Sequence, residues 1–287
     1  MNNIVLRAYG KINLGLDVLR RREDGYHDVK MIMQTVGLYD ILKMEKTKQD
    51  GISMNCNISF LPTDRRNLVY RAVEIMKERY HIQQGVKIDL NKRIPIAAGM
   101  AGGSSNCAAA LMGMNQLFDL GLKKEQLCEI GLLLGADVPY CIWGGTALAE
   151  GIGERLTKLP PMPSCHILIA KPGISVSTGF VYQNLKLDQL ERHPDIDGMI
   201  KDLETGSLEG ICRKLENVLE TVTIPEYPII DRIKAHLIEH GAMGALMSGS
   251  GPTIFGIFSE EEKAAKALQA LKSIKDVKQA YVVEPIQ

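Results

Sequence analysis

The sequence predicts a fold of the α+β class built from two domains. Three observations support this: strand-like alternation dominates the amino-terminal part, helical spacing begins only near residue 67, and a stiff proline-rich stretch divides the chain. A chain of 287 residues with 45% hydrophobic and 24% charged residues is long enough for two ordinary domains. We expect the boundary at the proline-rich stretch 159–163, which gives domains of residues 1–160 and 161–287.

Elements of the first domain follow from the spacing of apolar residues. Apolar and polar residues alternate in several segments that are bounded by glycine, aspartate or charged turns. This alternation predicts strands over 4–8, 12–18, 30–35, 41–46 and 86–90. Helical spacing begins at Asn67, because Leu68, Ala72 and Met76 share one face of a helix over 67–80. Further helices are predicted over 105–117 and 123–134.

The second domain alternates between helices and apolar strands. Strands are predicted over 166–170, near 245, over 253–258 and over 280–283. Helices are predicted over 196–203, 208–219, 228–239 and 260–271. The simplest packing of these elements places the helices on one face of an antiparallel sheet.

Composition limits the classes of partner. The 34 basic and 34 acidic residues cancel, so nothing global points to nucleic acid or an anionic membrane, and an anionic substrate must be met locally. The six cysteines form no Cys-x-x-Cys pair, which argues against a zinc site or a disulfide scaffold. No secretion signal and no apolar run of about twenty residues are present. We expect a cytoplasmic protein with a small-molecule substrate, as a monomer or weak homodimer.

A glycine-rich segment from Pro95 to Asn106 opens an apolar helix. Gly99, Gly102 and Gly103 let the backbone approach an anion, and the first turn of the helix offers N–H groups without internal partners. This combination predicts a phosphate-binding loop. Neither the Walker pattern nor G-x-G-x-x-G fits, and an ordinary strand-to-helix turn remains the alternative interpretation.

Polar residues also interrupt apolar strands and turns at three other places. Lys11 and Asn13 project to the same side of a strand, where a buried ammonium needs an anionic partner; an edge-strand lysine reaching water is the alternative. Tyr26 and His27 leave a polar turn together and could stack on a heterocycle, although a tyrosine covering the core is the commoner case. Asp137 lies among apolar residues at a helix-to-strand junction, where a local turn bond is the alternative.

The segment 247–253 forms a second glycine loop between apolar strands. It predicts either a backbone nest for phosphates or a tight connection.

Other candidates are weaker. His236 and His240 share a helix face, but no third ligand is evident and we interpret them as solvated. Glu150 and Glu154 fit an exposed glycine-rich hairpin as well as a metal or substrate contact.

Taken in order, three of these patterns resemble the motifs of the GHMP small-molecule kinases: Lys11 in its strand, Pro-x-x-x-Gly-Met-Ala-Gly-Gly-Ser-Ser, and Ser-Gly-Ser-Gly-Pro. The resemblance spans nearly the whole chain. It implies a ribosomal-S5-like amino-terminal domain joined to a ferredoxin-like carboxy-terminal domain. The implied activity is ATP-dependent phosphorylation of an alcohol with Mg²⁺.

The resemblance also implies roles for individual residues. Asp137 would accept the proton of the substrate hydroxyl, and Lys11 would stabilise charge on the γ-phosphoryl group. Ser105 is the candidate on the metal side. The residues implied to bind ATP are Pro95, Ile96, Ala97, Ala98, Gly99, Met100, Ala101, Gly102, Gly103, Ser104 and Ser105. The family loop often has glycine where Ala101 stands, so we expect an ordinary backbone there, with phosphate contact left to Gly102 and Gly103.

Further motifs are similar to one branch of the family, which phosphorylates the tertiary C2 hydroxyl of a cytidine-diphosphate-linked methylerythritol in the non-mevalonate isoprenoid pathway. They are Ala-Tyr-Gly-Lys-Ile-Asn-Leu, Arg-Arg-Glu-Asp-Gly-Tyr-His, Gly-Ala-Asp-Val-Pro-Tyr and Ala-Glu-Gly-Ile-Gly-Glu. The substrate-binding residues implied are Asn13, Tyr26, His27, Thr178, Tyr182, Gly249 and Ser250, with the three aromatic rings around the cytosine. Two alternatives stay open: a kinase for mevalonate, homoserine or a sugar, and a catalytically silent nucleotide-binding regulator.

Overall fold

The computed structural model describes residues 1–287. The chain forms two compact units, and neither is one continuous segment. Unit 1 comprises Met1–Gly10, Leu38–Ile96 and Ala101–Trp143, and unit 2 comprises Lys11–Gly37, Ala97–Met100 and Gly144–Gln287. Two long strands, β1 (Asn3–Arg21) and β2 (His27–Thr47), each contribute residues to both units. The domain boundary at the proline-rich stretch stays a prediction.

Strands β1 and β2 form one long hairpin where the sequence predicts four shorter strands. The predicted breaks fall near Gly10 and Gly37, but a glycine can remain extended within a strand, and both strands continue through these positions. At Gly37 the backbone is closely approached, since a Cβ atom there would lie 3.4 Å from the carbonyl oxygen of Glu284. The turn is closed by Arg22, whose N–H donates to the Tyr26 carbonyl at 2.8 Å.

In unit 1, helices pack against one face of a mixed sheet. Strand β3 (Ile52–Cys56) runs parallel to β4 (Gly85–Asn91), and β4 pairs antiparallel with the second half of β2 in the register Ile41↔Asn91 to Thr47↔Gly85. The helices are α1 (Leu68–Arg79), α2 (Gly102–Leu117), α3 (Lys124–Leu132) and α4 (Val138–Trp143). Helix α1 matches its prediction, with the Asn67 side chain capping the N–H of Val69. Buried apolar side chains of α1, α2 and the sheet form one core.

Unit 2 contains the first half of the hairpin and a second sheet. Strand β5 (Thr146–Gly151) pairs antiparallel with β2 and with β6 (Arg155–Lys158), and β8 (Glu216–Asn217) pairs parallel with β1. The second sheet is antiparallel, in the order β11 (Val277–Val283), β7 (His166–Pro172), β10 (Ile254–Phe258) and β9 (Gly244–Met247). The helices are α5 (Thr178–Asn184), α6 (Ile196–Thr205), α7 (Leu208–Arg213), α8 (Glu220–Glu226), α9 (Ile229–Glu239) and α10 (Glu261–Leu271).

One predicted helix of unit 2 is wrong in its extent. The helix predicted over 208–219 ends at Arg213, and the chain then forms the short strand β8 before α8. The cause is tertiary: the buried Asn217 side chain bonds to three backbone groups, two of them in a distant loop. No helix of the structure has both the length and the apolar character needed to cross a membrane.

Candidate functional site

Lys11 is held inside unit 2, and only 6% of the residue is exposed. Its Nζ donates to Asn13 Oδ1 at 2.6 Å and to the Gly99 carbonyl oxygen at 3.0 Å. The backbone N–H of Lys11 donates to the Met100 carbonyl at 3.1 Å. The lysine therefore contacts its predicted strand neighbour and the middle of the glycine-rich segment, which excludes the alternative of a lysine that merely reaches water.

Gly99 could not be replaced by a residue with a Cβ without a backbone shift. Its φ is +70°, and a Cβ would lie 2.1 Å from the carbonyl oxygen of Ser248. The Ser248 Oγ donates to the Gly99 carbonyl at 2.9 Å. The middle of the first glycine segment and the start of the second glycine loop therefore lie against each other in unit 2.

The second glycine loop also meets the predicted substrate residue Thr178. Oγ1 of Thr178 and Oγ of Ser250 are hydrogen-bonded at 2.9 Å. A Cβ at Gly249 would lie 3.6 Å from Asn13 Oδ1. Asn217 holds the loop in place, because its Nδ2 donates to the carbonyls of Met247 and Gly249 at 2.8 Å each. Sequence reasoning missed Asn217, because nothing in its neighbourhood distinguishes it from a polar helix residue.

His27 and Tyr182 form an aromatic pair in unit 2. Their ring centroids are 5.2 Å apart with the planes tilted by 40°. Burial, and secondarily the charge of Arg21, lower the pKa of His27 below its usual value. Tyr26 is 59% exposed, and its backbone N–H donates to Asp24 Oδ1 at 3.0 Å. The tyrosine therefore does not cover the core, and two of the three predicted base-binding rings are in contact.

The start of α2 in unit 1 has no side-chain cap. Its N-cap residue Ala101 lies in the left-handed region, with φ +53° and ψ +27°. The expectation of an ordinary backbone at Ala101 is therefore wrong, and Ala97 shows the same feature with φ +49°. A non-glycine residue in this region costs about 1–2 kcal/mol. The loop therefore carries conformational strain at two alanines.

Asp137 belongs to unit 1 and follows a glycine, Gly135, that lies near the start of α2. A Cβ at Gly135, two residues before Asp137, would lie 3.9 Å from the Ser104 Oγ. Asp137 is half-buried and directly precedes α4, where its carbonyl accepts the N–H of Cys141 at 3.1 Å. Ser105 is buried, with 3% exposed, and its N–H donates to the Ala101 carbonyl at 2.8 Å. Two hydroxyls and a carboxylate thus belong to neighbouring segments of this unit.

The weaker candidates have plain structural surroundings. Glu154 lies in the turn between β5 and β6, where its carboxylate accepts the Ile152 N–H at 2.6 Å, and Glu150 lies in β5. His236 and His240 stack with centroids 4.1 Å apart, and Glu239 brings a third donor atom within 4.8 Å of theirs. Glu239 is therefore a third candidate ligand, contrary to the expectation from sequence, because a helix places residue 239 beside both histidines.

Comparison with known proteins gives a consistent family. The model of the GHMP kinase N-terminal domain matches residues 67–145, and that of the GHMP kinase C-terminal domain matches residues 199–276. The 4-diphosphocytidyl-2-C-methyl-D-erythritol kinase of Lachnospira eligens is 54% identical over 284 residues, covering 99% of each chain. A crystal structure of 4-(cytidine 5'-diphospho)-2C-methyl-D-erythritol kinase superposes with a TM-score of 0.85 at 31% identity, covering 99% of this chain and 100% of that one.

A more distant structure shares the fold alone. Homoserine kinase from Cytophaga hutchinsonii has a TM-score of 0.77 at 21% identity, covering 98% of this chain and 94% of that one.

Proposed function

This chain belongs to the 4-diphosphocytidyl-2-C-methyl-D-erythritol kinases within the GHMP kinase family, and we propose that it uses ATP to phosphorylate the C2 hydroxyl of that substrate in the non-mevalonate isoprenoid pathway. Membership makes it an ATP-dependent small-molecule kinase. The observation that best supports this substrate is the contact between His27 and Tyr182, whose rings can bind a nucleobase. The substrates of mevalonate, homoserine and sugar kinases contain no such base.

We assign the chemical step to Asp137 and Lys11. Phosphoryl transfer depends mainly on alignment and on neutralising the charge that spreads over the equatorial oxygens. Asp137 would accept the proton of the C2 hydroxyl as the oxygen attacks the γ-phosphorus, while the bond from that phosphorus to the β,γ-bridging oxygen breaks and ADP leaves. The Lys11 ammonium would stabilise the charge on the transferring group, and its bonds to Asn13 and Gly99 support this role because they hold Nζ in one place.

The ATP triphosphate would be bound by residues 95–105. The first turn of α2 has no side-chain cap, so its N–H groups can donate to phosphate oxygens and its positive end favours them. Gly102 and Gly103 begin this helix, and a Cβ at Gly103 would meet only Leu68 Cδ1, at 3.9 Å, which leaves the backbone there open to close approach.

Magnesium fits the donors of unit 1 by their chemistry. Mg²⁺ takes oxygen ligands, commonly one carboxylate or hydroxyl together with substrate phosphates, and the side chains of Ser104, Ser105 and Asp137 all offer oxygen. We propose Ser105 on the metal side, and the competing assignment is its more exposed neighbour Ser104. When bound, the ion supplies positive charge to the phosphates. Ser105→Ala and Ser104→Ala compared at limiting Mg²⁺ would separate the two.

The cytidine end of the substrate would lie against His27 and Tyr182, with Tyr26 beside them at the surface. The hydrogen bond between Thr178 and Ser250 supports a role for both hydroxyls at the diphosphate, and Asn13 and Gly249 lie next to each other beside them. These residues all belong to unit 2.

A substrate panel tests the proposal. The purified enzyme, ATP and Mg²⁺ are assayed with the cytidylyl substrate, mevalonate, homoserine and sugars, and we expect turnover of the first alone. Asp137→Asn should lower kcat by about a hundredfold or more, whereas Asp119→Asn, an exposed acid in a turn, should leave it unchanged. Turnover of mevalonate instead, or unaltered kcat in Asp137→Asn, would contradict the substrate or the base; ATP binding without any turnover would favour the silent regulator.

We further propose a cytoplasmic enzyme that is a monomer or weak homodimer. Six free cysteines support a reducing compartment. Light scattering across a range of concentrations tests the oligomeric state.

A further inference from the structure

The carboxylate of Asp40, in β2, belongs to none of the motifs described above. Asp40 is fully buried, and carboxylates are seldom buried unless they are paired and hydrogen-bonded. Its Oδ2 accepts hydrogen bonds from Lys92 Nζ at 2.5 Å and from Asn106 Nδ2 at 2.8 Å. The Lys92 ammonium also donates to Asn106 Oδ1 at 3.0 Å, which closes a triangle of three side chains.

The other carboxylate oxygen holds the backbone that leads into the glycine-rich segment. Asp40 Oδ1 accepts the N–H of Arg93 at 2.6 Å and that of Ile94 at 2.8 Å. These residues immediately precede Pro95, where the segment begins. Bonds from a charged acceptor to backbone N–H groups are among the stronger hydrogen bonds in proteins, so this end of the loop is fixed in place.

The same carboxylate holds the far end of the segment through Asn106. Asn106 lies in α2, one turn after the helix begins at Gly102. The helix start also touches the strand end directly, because a Cβ at Gly102 would lie 3.0 Å from both Lys92 Nζ and Ile94 Cγ2. One carboxylate therefore fixes the entry and the exit of the loop, and all of these residues belong to unit 1.

We infer that Asp40 is a positioning residue for nucleotide binding: it clamps both ends of the phosphate loop and so fixes the direction of the first N–H groups of α2. This inference rests on the proposed function, in which those groups bind ATP. It also accounts for the left-handed Ala97 and Ala101, since strained residues persist only where the surrounding structure holds them.

Asp40→Asn tests the clamp, because asparagine keeps the size but offers one oxygen to four donors. We expect the KM for ATP and the dissociation constant of a non-hydrolysable ATP analogue to rise about ten- to a hundredfold, with the KM for the cytidylyl substrate within threefold. The matched control is Leu117→Ala, which creates a cavity at the opposite end of α2. It should lower the melting temperature without raising the KM for ATP relative to the KM for the cytidylyl substrate.

Asp40→Asn leaves the Lys92 ammonium buried without its partner and could fail to fold, so the double variant Asp40→Asn/Lys92→Met is measured beside it. It removes both charges. We expect its melting temperature to return toward the wild-type value and its affinity for the ATP analogue to stay reduced. Analogue binding does not require turnover, so it tests the clamp even where the substrate assignment fails. Wild-type affinity for the analogue in the folded double variant, or an equal loss in Leu117→Ala at matched melting temperature, would overturn the inference.

Discussion

Lys11 and Gly99 are joined by a hydrogen bond of 3.0 Å from the lysine Nζ to the glycine carbonyl oxygen. The Oγ of Ser248 donates to the same oxygen at 2.9 Å. One carbonyl group thus links a strand lysine, the first glycine segment and the second glycine loop. Its position depends on the left-handed backbone of Gly99, with φ +70°, so the glycine matters for where the ammonium is held.

Replacing Gly99 by alanine should be much more damaging than the backbone angle alone predicts. The left-handed angle costs an alanine about 1–2 kcal/mol, and the new Cβ would also lie 2.1 Å from the Ser248 oxygen, which belongs to backbone and cannot rotate away. We expect Gly99→Ala to lower the free energy of unfolding by about 3 kcal/mol or more and to lower kcat. Denaturant unfolding and the kinase assay measure the two effects.

Gly206→Ala is a matched control for this prediction. Gly206 has the same φ of +70°, and a Cβ there would meet nothing within 4 Å. This variant should lose only the conformational term of about 1–2 kcal/mol and keep full activity. Equal losses in the two variants would show that crowding at Ser248 is unimportant.

Asn217→Ala should loosen the second glycine loop. The substitution leaves the carbonyls of Met247 and Gly249 and the N–H of Leu219 without their buried partner, which costs about 1–3 kcal/mol for each group that water cannot reach. We expect a loss of about 3 kcal/mol in stability and a raised KM for the cytidylyl substrate. Asn184→Ala, which removes one exposed bond to the Phe180 carbonyl, should cost less than about 0.5 kcal/mol. A KM unaltered in Asn217→Ala would separate this loop from substrate binding.

Much of the secondary structure could be predicted from local sequence, because the apolar spacing reports on burial, whereas the family was predicted from the resemblance of three motifs. The predicted ends of α1 and β4 lie within one residue of the observed ends, and the α+β class and GHMP kinase fold are confirmed. The spacing of apolar residues does not predict the secondary structure where a hydrogen bond to a distant group determines it. The chain turns into β8 because Asn217 bonds to the loop after β9, a partner about thirty residues away.

The candidate site divides in the same way. Lys11, Gly99 and His27 could be selected from local patterns of residue types, whereas Tyr182 was implied only by the family resemblance. Unit 2 brings Lys11 into contact with Gly99 and His27 into contact with Tyr182. Local sequence does not distinguish Asp40, because an aspartate at the end of an apolar run also fits a strand end. Only the tertiary structure shows that four donors converge on it.

Thiol reactivity should separate the cysteines by burial. Burial raises the pKa of Cys107, Cys165 and Cys212 to about 12, so almost none of each is thiolate at neutral pH. Titration of the native enzyme with a disulfide reagent should leave these three unreacted, while the half-buried Cys56, Cys128 and Cys141 react. All six should react in denaturant. Fast labelling of Cys107 in the native enzyme, located by peptide mass, would mean that α2 opens more readily than its packing indicates.

The pH dependence of His27 provides a further prediction. Its pKa in the folded protein is lowered from the usual 6.5, mainly by burial and then by the Arg21 charge, so the unfolded chain takes up the proton first as the pH falls. The contribution of His27 to stability is therefore present above pH 6.5 and is lost as the pH falls from there through the folded pKa.

NMR titration of the imidazole measures this directly. Arg21→Ala should move the pKa of His27 part of the way back toward its usual value, because burial, the larger cause, remains; Arg79→Ala at the end of α1 is the control and should leave it unchanged. A charged ring must lose water to stack on cytosine, so binding should weaken when His27 takes up a proton. We therefore expect the KM for the cytidylyl substrate to stay constant down to a lower pH in the wild type than in Arg21→Ala. A wild-type imidazole that titrates at or above the usual value would contradict the burial inferred from its contact with Tyr182.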